Sequence, residues 1–174
     1  VSTQTFNVLF ICSGNSARSI LAEALLNHIS DGLLLSHQSQ ASFRAYSAGV
    51  TPLGEVNPHV LALLQRHKIP IDNLRSKSWD EFARPDSVQM DFVFTVCDQA
   101  AQQQCPTWPG QPLAAHWSLE DPASASDVEK QKKLIMNAFL QLHRRLDIFT
   151  NLPIDTLDRI SLKRKLDDIG DAQE

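Results

Sequence analysis

The chain has 174 residues, 43% of them apolar and 21% charged, with a formal net charge of −4. That length fits one domain with a core of its own, and the acidic balance excludes nucleic acid as a partner attracted by overall charge. No apolar stretch approaches the roughly 20 residues of a membrane helix, so no membrane-spanning helix is expected. Val1 to Phe6 lacks a basic region followed by a long apolar run, so no secretory signal is expected. With three cysteines, an odd number, the expectation is a cytoplasmic protein whose thiols stay reduced.

Asn7 to Ile11 reads as a short buried parallel strand. Ser16 to Ile29 has helical periodicity, with Ile20, Leu21, Ala24, Leu25 and Ile29 on one face. Ser30 to Ser42 is polar and mixed and is expected to be a surface loop or a frayed helix end. Phe43 to Ser47 predicts a second strand, and Asn57-Pro58 opens a second helix that ends at Ile69-Pro70. Ser78 to Phe82 suits one helical turn. Asp91 to Val96 and Leu113 to Trp117 predict the third and fourth strands. Val128 to Phe149 is the longest helix, and Asp155 to Ile169 predicts a short amphipathic tail helix with Leu157, Ile160, Leu162, Leu166 and Ile169 apolar. Strands alternating with helices predict an α/β fold. The expected architecture is a single-domain three-layer sandwich with a four-stranded parallel sheet flanked by helices. Residues 1–150 would form the domain, and 151–174 a helical extension of it.

The segment that carries chemistry is Cys12-Ser13-Gly14-Asn15-Ser16-Ala17-Arg18-Ser19. It follows a predicted strand and opens a helix, the place where open parallel sheets bind ligands. A tight loop there turns successive N–H groups inward as an anion nest, and Gly14 lets the backbone approach an oxyanion without a Cβ. The guanidinium of Arg18 suits a bidentate grip on a tetrahedral anion. The same positive field favours the thiolate of Cys12, the nucleophilic form. Ser19 can donate to that thiolate, and Asn15 reads as a brace for the loop. The bland alternative is a buried structural Cys12 with Arg18 on the surface.

The run Val8 to Glu23 resembles the low-molecular-weight tyrosine phosphatase superfamily, and most of all the arsenate reductases within it. Gly14-Asn15-Ser16-x-Arg18-Ser19 and the following Ala22-Glu23 are its specific part. The likeness spans roughly Asn7 to Phe149 and includes Tyr46-Ser-Ala-Gly49, Asn57-Pro58 and Ser76 to Phe82.

Cys97 and Cys105 flank a loop after the third strand, with seven residues between them. That gap suits zinc ligand pairs poorly; His116 leaves a three-ligand site as the alternative, and no metal is expected. If the first and third strands are close, Cys97 lies at the mouth of the Cys12 loop and can pass a disulfide outward by exchange. Cys97, the short polar loop and Cys105-Pro106 resemble the redox loop of the thioredoxin-coupled arsenate reductases, with a gap one residue longer. His116-Trp117-Ser-Leu-Glu-Asp121-Pro122 resembles the segment holding the superfamily's catalytic acid. By position the acid is Asp121, with Glu120 as competitor; a turn Asp before Pro is the plain alternative.

The resemblance implies arsenate bound by residues 13–19, attacked by Cys12, with Cys97 and Cys105 relaying a disulfide. No cofactor is implied beyond an external thiol reductant, thioredoxin or glutathione/glutaredoxin. The rivals are a phosphatase using Cys12 and Asp121, a glutathione-coupled reductase that leaves Cys105 idle, and a thiol switch that needs neither Arg18 nor Asp121. His28, His59, His67 and His143 are expected on the surface. Lys130, Lys132 and Lys133 read as a solvated face, and Trp108 as loop packing or a partner contact.

Overall fold

The computed structural model describes residues 4–36 and 41–172. Four parallel strands form one sheet in the order β2-β1-β3-β4: β1 Gln4–Cys12, β2 Ala41–Gly49, β3 Phe92–Thr95 and β4 Leu113–His116. The helices are α1 Arg18–Leu35, α2 Pro58–Arg66, α3 Asp98–Ala101, α4 Val128–Thr150 and α5 Arg159–Asp171. Single 3₁₀ turns lie at Trp79–Phe82 and Pro122–Ser124.

β1 is central, and Val8, Leu9, Phe10 and Ile11 are all fully buried, so both sheet faces are covered. Strand periodicity sends Phe6 and Phe10 to one face. There Phe43, Phe92, Phe94 and Trp117 gather around Phe149 of α4, with Phe94 and Trp117 stacked at 3.9 Å. Tyr46, paired with Leu9, points to the other face and packs on Phe82. Trp79 meets Trp108 edge-on, so Trp108 is buried packing for its loop. The chain is thus an α/β three-layer sandwich.

The segment Ser30 to Ser42 departs from the loop reading. α1 continues to Leu35, β2 already begins at Ala41, and 37–40 lie outside the described residues. Ser30 and Ser42, at the two ends of this stretch, are buried, whereas Asp31 and Ser36 are exposed. β2 is an edge strand, and α1 satisfies its outer backbone groups. Ser30 Oγ accepts the Phe43 N–H at 2.7 Å, while Asn27 accepts the N–H of Ala45 and donates to its carbonyl.

The tail helix also starts later than its apolar pattern suggests. Asp158 caps α5 by accepting from Ser161 N, and Ile160 stays 75% exposed. Leu162, Leu166 and Ile169 are buried, and Trp117 Nε1 donates to Leu166 O at 3.0 Å. Gly170 allows the close approach: a Cβ there would collide with the carbonyl of His116 and the ring of Trp117.

Candidate active site

The loop between β1 and α1 is shaped by the chain that follows β2. The carbonyls of Cys12, Ser13, Gly14 and Ser16 accept N–H groups from Val50, Thr51, Leu53 and Asn57, at 2.8–3.1 Å. In a trans peptide the next N–H points opposite its carbonyl, so pulling the carbonyls outward turns the loop amides inward. The Asn15 amide donates to Cys12 Sγ and the Ser13 amide to Cys97 Sγ, both at 3.2 Å. No side chain caps α1 at Ala17, which leaves the first-turn N–H groups of this helix for an anion. Gly49 must be glycine for this packing, because a Cβ would fall 2.9 Å from Ser13 O and from Asn15 Cβ. A Cβ at Gly14, which lines the same loop, would press on Leu53, a flexible side chain.

Asn15 holds the loop from behind. It is fully buried with φ of 46°, a left-handed conformation that Asn tolerates. Its Oδ1 accepts the Lys77 N–H at 2.8 Å, so its Nδ2 donates to Ser19 Oγ at 2.8 Å and Ser47 Oγ at 3.0 Å. Ser19, having accepted, has its own proton for Cys12 Sγ at 2.9 Å. Ser19 Oγ and the Asn15 main-chain N–H thus both converge on the Cys12 sulfur.

Behind Asn15 lies a buried charged pair that sequence reasoning missed. Lys77 Nζ sits 2.8 Å from Arg75 O, 3.4 Å from Ser47 Oγ and 3.6 Å from Glu23 Oε1. Burial pushes the Glu23 carboxyl up, against the pull of Lys77, and pushes the Lys77 ammonium down, against the pull of Glu23. Glu23 stands in the sequence as part of the family resemblance, with nothing to mark it as one half of a buried pair. Lys77 enters from a segment remote in sequence and carries no local signal.

Arg18, 8% exposed, closes the opposite wall: it donates to Leu119 O at 3.2 Å and lies 3.5 Å from Asp121. Asp121 also caps the 3₁₀ turn through Ala123 N, so the turn reading and the site placement hold together. A cleft of about 370 Å³ opens over the loop, lined by Cys12, Ser13, Arg18, Leu53, Asp121 and Gln131 among others. Asn15 and Ser19 lie behind it rather than in its lining. Glu120 is absent from that lining.

Cys97 ends the extended segment after β3 and caps α3, its Sγ accepting from Ala100 N as well as from Ser13 N. It is 2% exposed, whereas Cys105 is exposed, and partial burial pushes its thiol up. All three cysteines are free. His116 contacts Thr95 and Asp98, and among the described residues no three His, Cys, Asp or Glu side chains cluster as a metal site. His28, His67 and His143 are exposed and His59 half-buried, with the His67 ring tilted against Phe139; Lys130, Lys132 and Lys133 are solvated. No helix among the described residues is long and apolar enough to cross a membrane.

A thiol in an amide nest, beside an arginine and a carboxylate, can attack a bound tetrahedral oxyanion. An arsenate reductase of Oceanobacillus iheyensis is 33% identical over 125 residues, covering 72% of this chain and 80% of that protein. The crystal structure of an arsenate reductase from Archaeoglobus fulgidus superposes with a TM-score of 0.57 at 26% identity, covering 80% of this chain and 98% of that one. A thioredoxin-dependent arsenate reductase of Corynebacterium glutamicum superposes with a TM-score of 0.53 at 27% identity, covering 86% of this chain and 65% of that one. Residues 7–149, which run from the strand that delivers Cys12 to the helix that packs Phe149 under the sheet, match one family throughout: the chain belongs to the low molecular weight phosphotyrosine protein phosphatases.

Proposed function

We propose that this protein reduces arsenate to arsenite with electrons from its own thiols. Arsenate binds in the amide nest with Arg18 across two of its oxygens. The Cys12 thiolate attacks arsenic, and Asp121 protonates the departing hydroxide, which leaves as water. Cys97 then attacks the Cys12 sulfur. The S–As bond breaks with its electron pair on arsenic, which departs as arsenite, and a Cys12–Cys97 disulfide forms. Cys105 attacks Cys97 next, freeing the Cys12 thiolate and leaving a Cys97–Cys105 disulfide. In sum, dihydrogen arsenate, two thiols and a proton give arsenous acid, a disulfide and water. An external dithiol such as thioredoxin returns the two electrons.

The observation that carries this reading is the 3.2 Å contact between Ser13 N and Cys97 Sγ, which puts a second sulfur against the loop that holds the first. The names of the relatives agree. A phosphatase needs Cys12, Arg18 and Asp121 but has no use for Cys97, and no Phe, Tyr or Trp lines the cleft to grip a phosphotyrosine ring. The test compares Cys97→Ser with the parent, supplied with arsenate and thioredoxin with its reductase. Arsenite production should vanish; production at the parent rate rejects the relay.

A further inference from the structure

The last residue of β4, His116, is tied to the residues on both sides of Cys97. Its Nδ1 lies 2.8 Å from Thr95 Oγ1 and 3.1 Å from Thr95 O, and its Nε2 lies 2.8 Å from Asp98 Oδ1. Asp98 Oδ1 also accepts from Ser118 Oγ at 3.0 Å. One imidazole therefore bridges the residue two before Cys97 and the residue directly after it.

We propose that His116, acting through Asp98, is a positioning residue for Cys97: it pins the start of α3 so that the Cys97 sulfur stays against the Ser13 N–H and within reach of Cys12. The proposal rests on the reading of Cys97 as the thiol that takes the sulfur of Cys12.

Two effects meet in this contact. The first is geometric. α3 is a four-residue helix with a lone thiol as its cap, so it has little to hold itself in place. Val96 is fixed by Ile11 O and by Leu119 N, but past Cys97 the side-chain ties from the sheet side to the helix start are those of Asp98 to His116 and Ser118. The second is electrostatic. A carboxylate at the first position of a helix is drawn to the free N–H groups of the first turn. Asp98 released from His116 would compete with Cys97 Sγ for the Ala100 N–H and set a negative charge beside a sulfur that must itself become anionic. Held by His116 first and Ser118 second, the Asp98 carboxyl stays below the ordinary range, its Oδ1 committed to those two donors. The mechanism otherwise leaves His116 without a task, since Arg18, Asp121 and the loop supply everything that arsenate touches.

The test measures how strongly Cys12 and Cys97 prefer each other, without arsenate. In a Cys105→Ser background, the protein is equilibrated in buffers of reduced glutathione and glutathione disulfide. The two cysteines lose two electrons to glutathione disulfide, giving the Cys12–Cys97 bond and two molecules of glutathione. The ratio of disulfide to dithiol, read by mass spectrometry after acid trapping, gives the effective concentration of one thiol at the other. His116→Ala should lower it about fivefold, the scale of one solvent-exposed hydrogen bond. Asp98→Ala, which cuts the same contact from a solvent-exposed side chain, should lower it likewise and serves if His116→Ala folds poorly. Asp98→Asn keeps an oxygen for both donors and should restore the ratio to about the parent value. A side chain that merely stabilised the fold would lower the melting temperature and leave the ratio where it was. A ratio within about twofold of the parent in both alanine variants overturns the proposal. If arsenate forms no Cys12–Cys97 bond in the Cys105→Ser parent while glutathione disulfide does, the reductase reading falls and the His116 anchor is still decided by the ratio.

Discussion

The main-chain N–H of Lys77 donates to Asn15 Oδ1 at 2.8 Å, and that bond decides which end of the Asn15 amide faces Ser19. With Nδ2 toward Ser19, the Ser19 hydroxyl is left as a donor to Cys12. Asn15→Ala removes the acceptor of a buried N–H, two donors and the side chain that tolerates φ of 46°. The variant should lose about 2–4 kcal/mol of stability, measured by urea unfolding. Its Cys12 should also alkylate more slowly with iodoacetamide at pH 7, because the thiolate has lost its donor.

Arg18→Lys keeps a positive charge but not the planar fork. A single ammonium cannot bond Leu119 O, face Asp121 and hold two anion oxygens together. Phosphate and arsenate should protect Cys12 from alkylation about 10–100-fold less well, the scale of one or two lost charged hydrogen bonds. Protection equal to the parent would remove Arg18 from the binding account.

Glu23 and Lys77 make stability depend on pH in a direction opposite to that of a surface ion pair. Burial outweighs mutual attraction for both partners. With its folded value raised above the ordinary 4.5, Glu23 binds a proton more tightly in the folded chain than in the unfolded one. Its contribution is therefore fully present below the unfolded value and is lost as pH rises through the folded one. Lys77, with its folded value lowered from 10.5, works on the alkaline side, where stability rises with pH between its folded and unfolded values. In urea titrations from pH 4.5 to 7.5, the stability of the parent relative to Glu23→Gln should fall as pH rises. A flat difference contradicts the assignment.

Gly170→Ala adds a Cβ where the His116 carbonyl and the Trp117 ring already stand. Backbone and a buried indole cannot step aside, so α5 must shift off β4 at a cost of about 1–3 kcal/mol. Hydrogen exchange should speed up in α5 and at the Trp117 indole N–H, whose acceptor is Leu166 O.

The loop from Cys12 to Ser19 was legible because its signal is local: strand, turn, helix and the chemical residues lie in one short run. The strands were legible for the same reason, as short apolar runs bounded by turns. What stayed hidden acts across the fold. Ser30 reads as the start of a loop or frayed helix end, and Asn27 as an ordinary polar helix residue, because the strand edge they serve lies 13 and 18 residues away. The real start of α5 was masked by Leu157 and Ile160, which fit an apolar period although Ile160 faces solvent. Lys77 could not be found from its neighbours, since its partners Glu23 and Ser47 come from α1 and β2. The bridge from His116 to Asp98 needed the pairing of β3 with β4 before it could exist at all.

The most direct test of the central claim is a single turnover. Reduced protein is mixed with excess arsenate and no external reductant, arsenite is quantified, and the disulfides are mapped by mass spectrometry. The relay predicts about one arsenite per chain, from the two electrons that one disulfide releases. It also predicts a Cys97–Cys105 bond in the parent and a Cys12–Cys97 bond in Cys105→Ser. Arsenite formed with no protein disulfide, or no arsenite while Cys12 remains competent to bind phosphate, contradicts it.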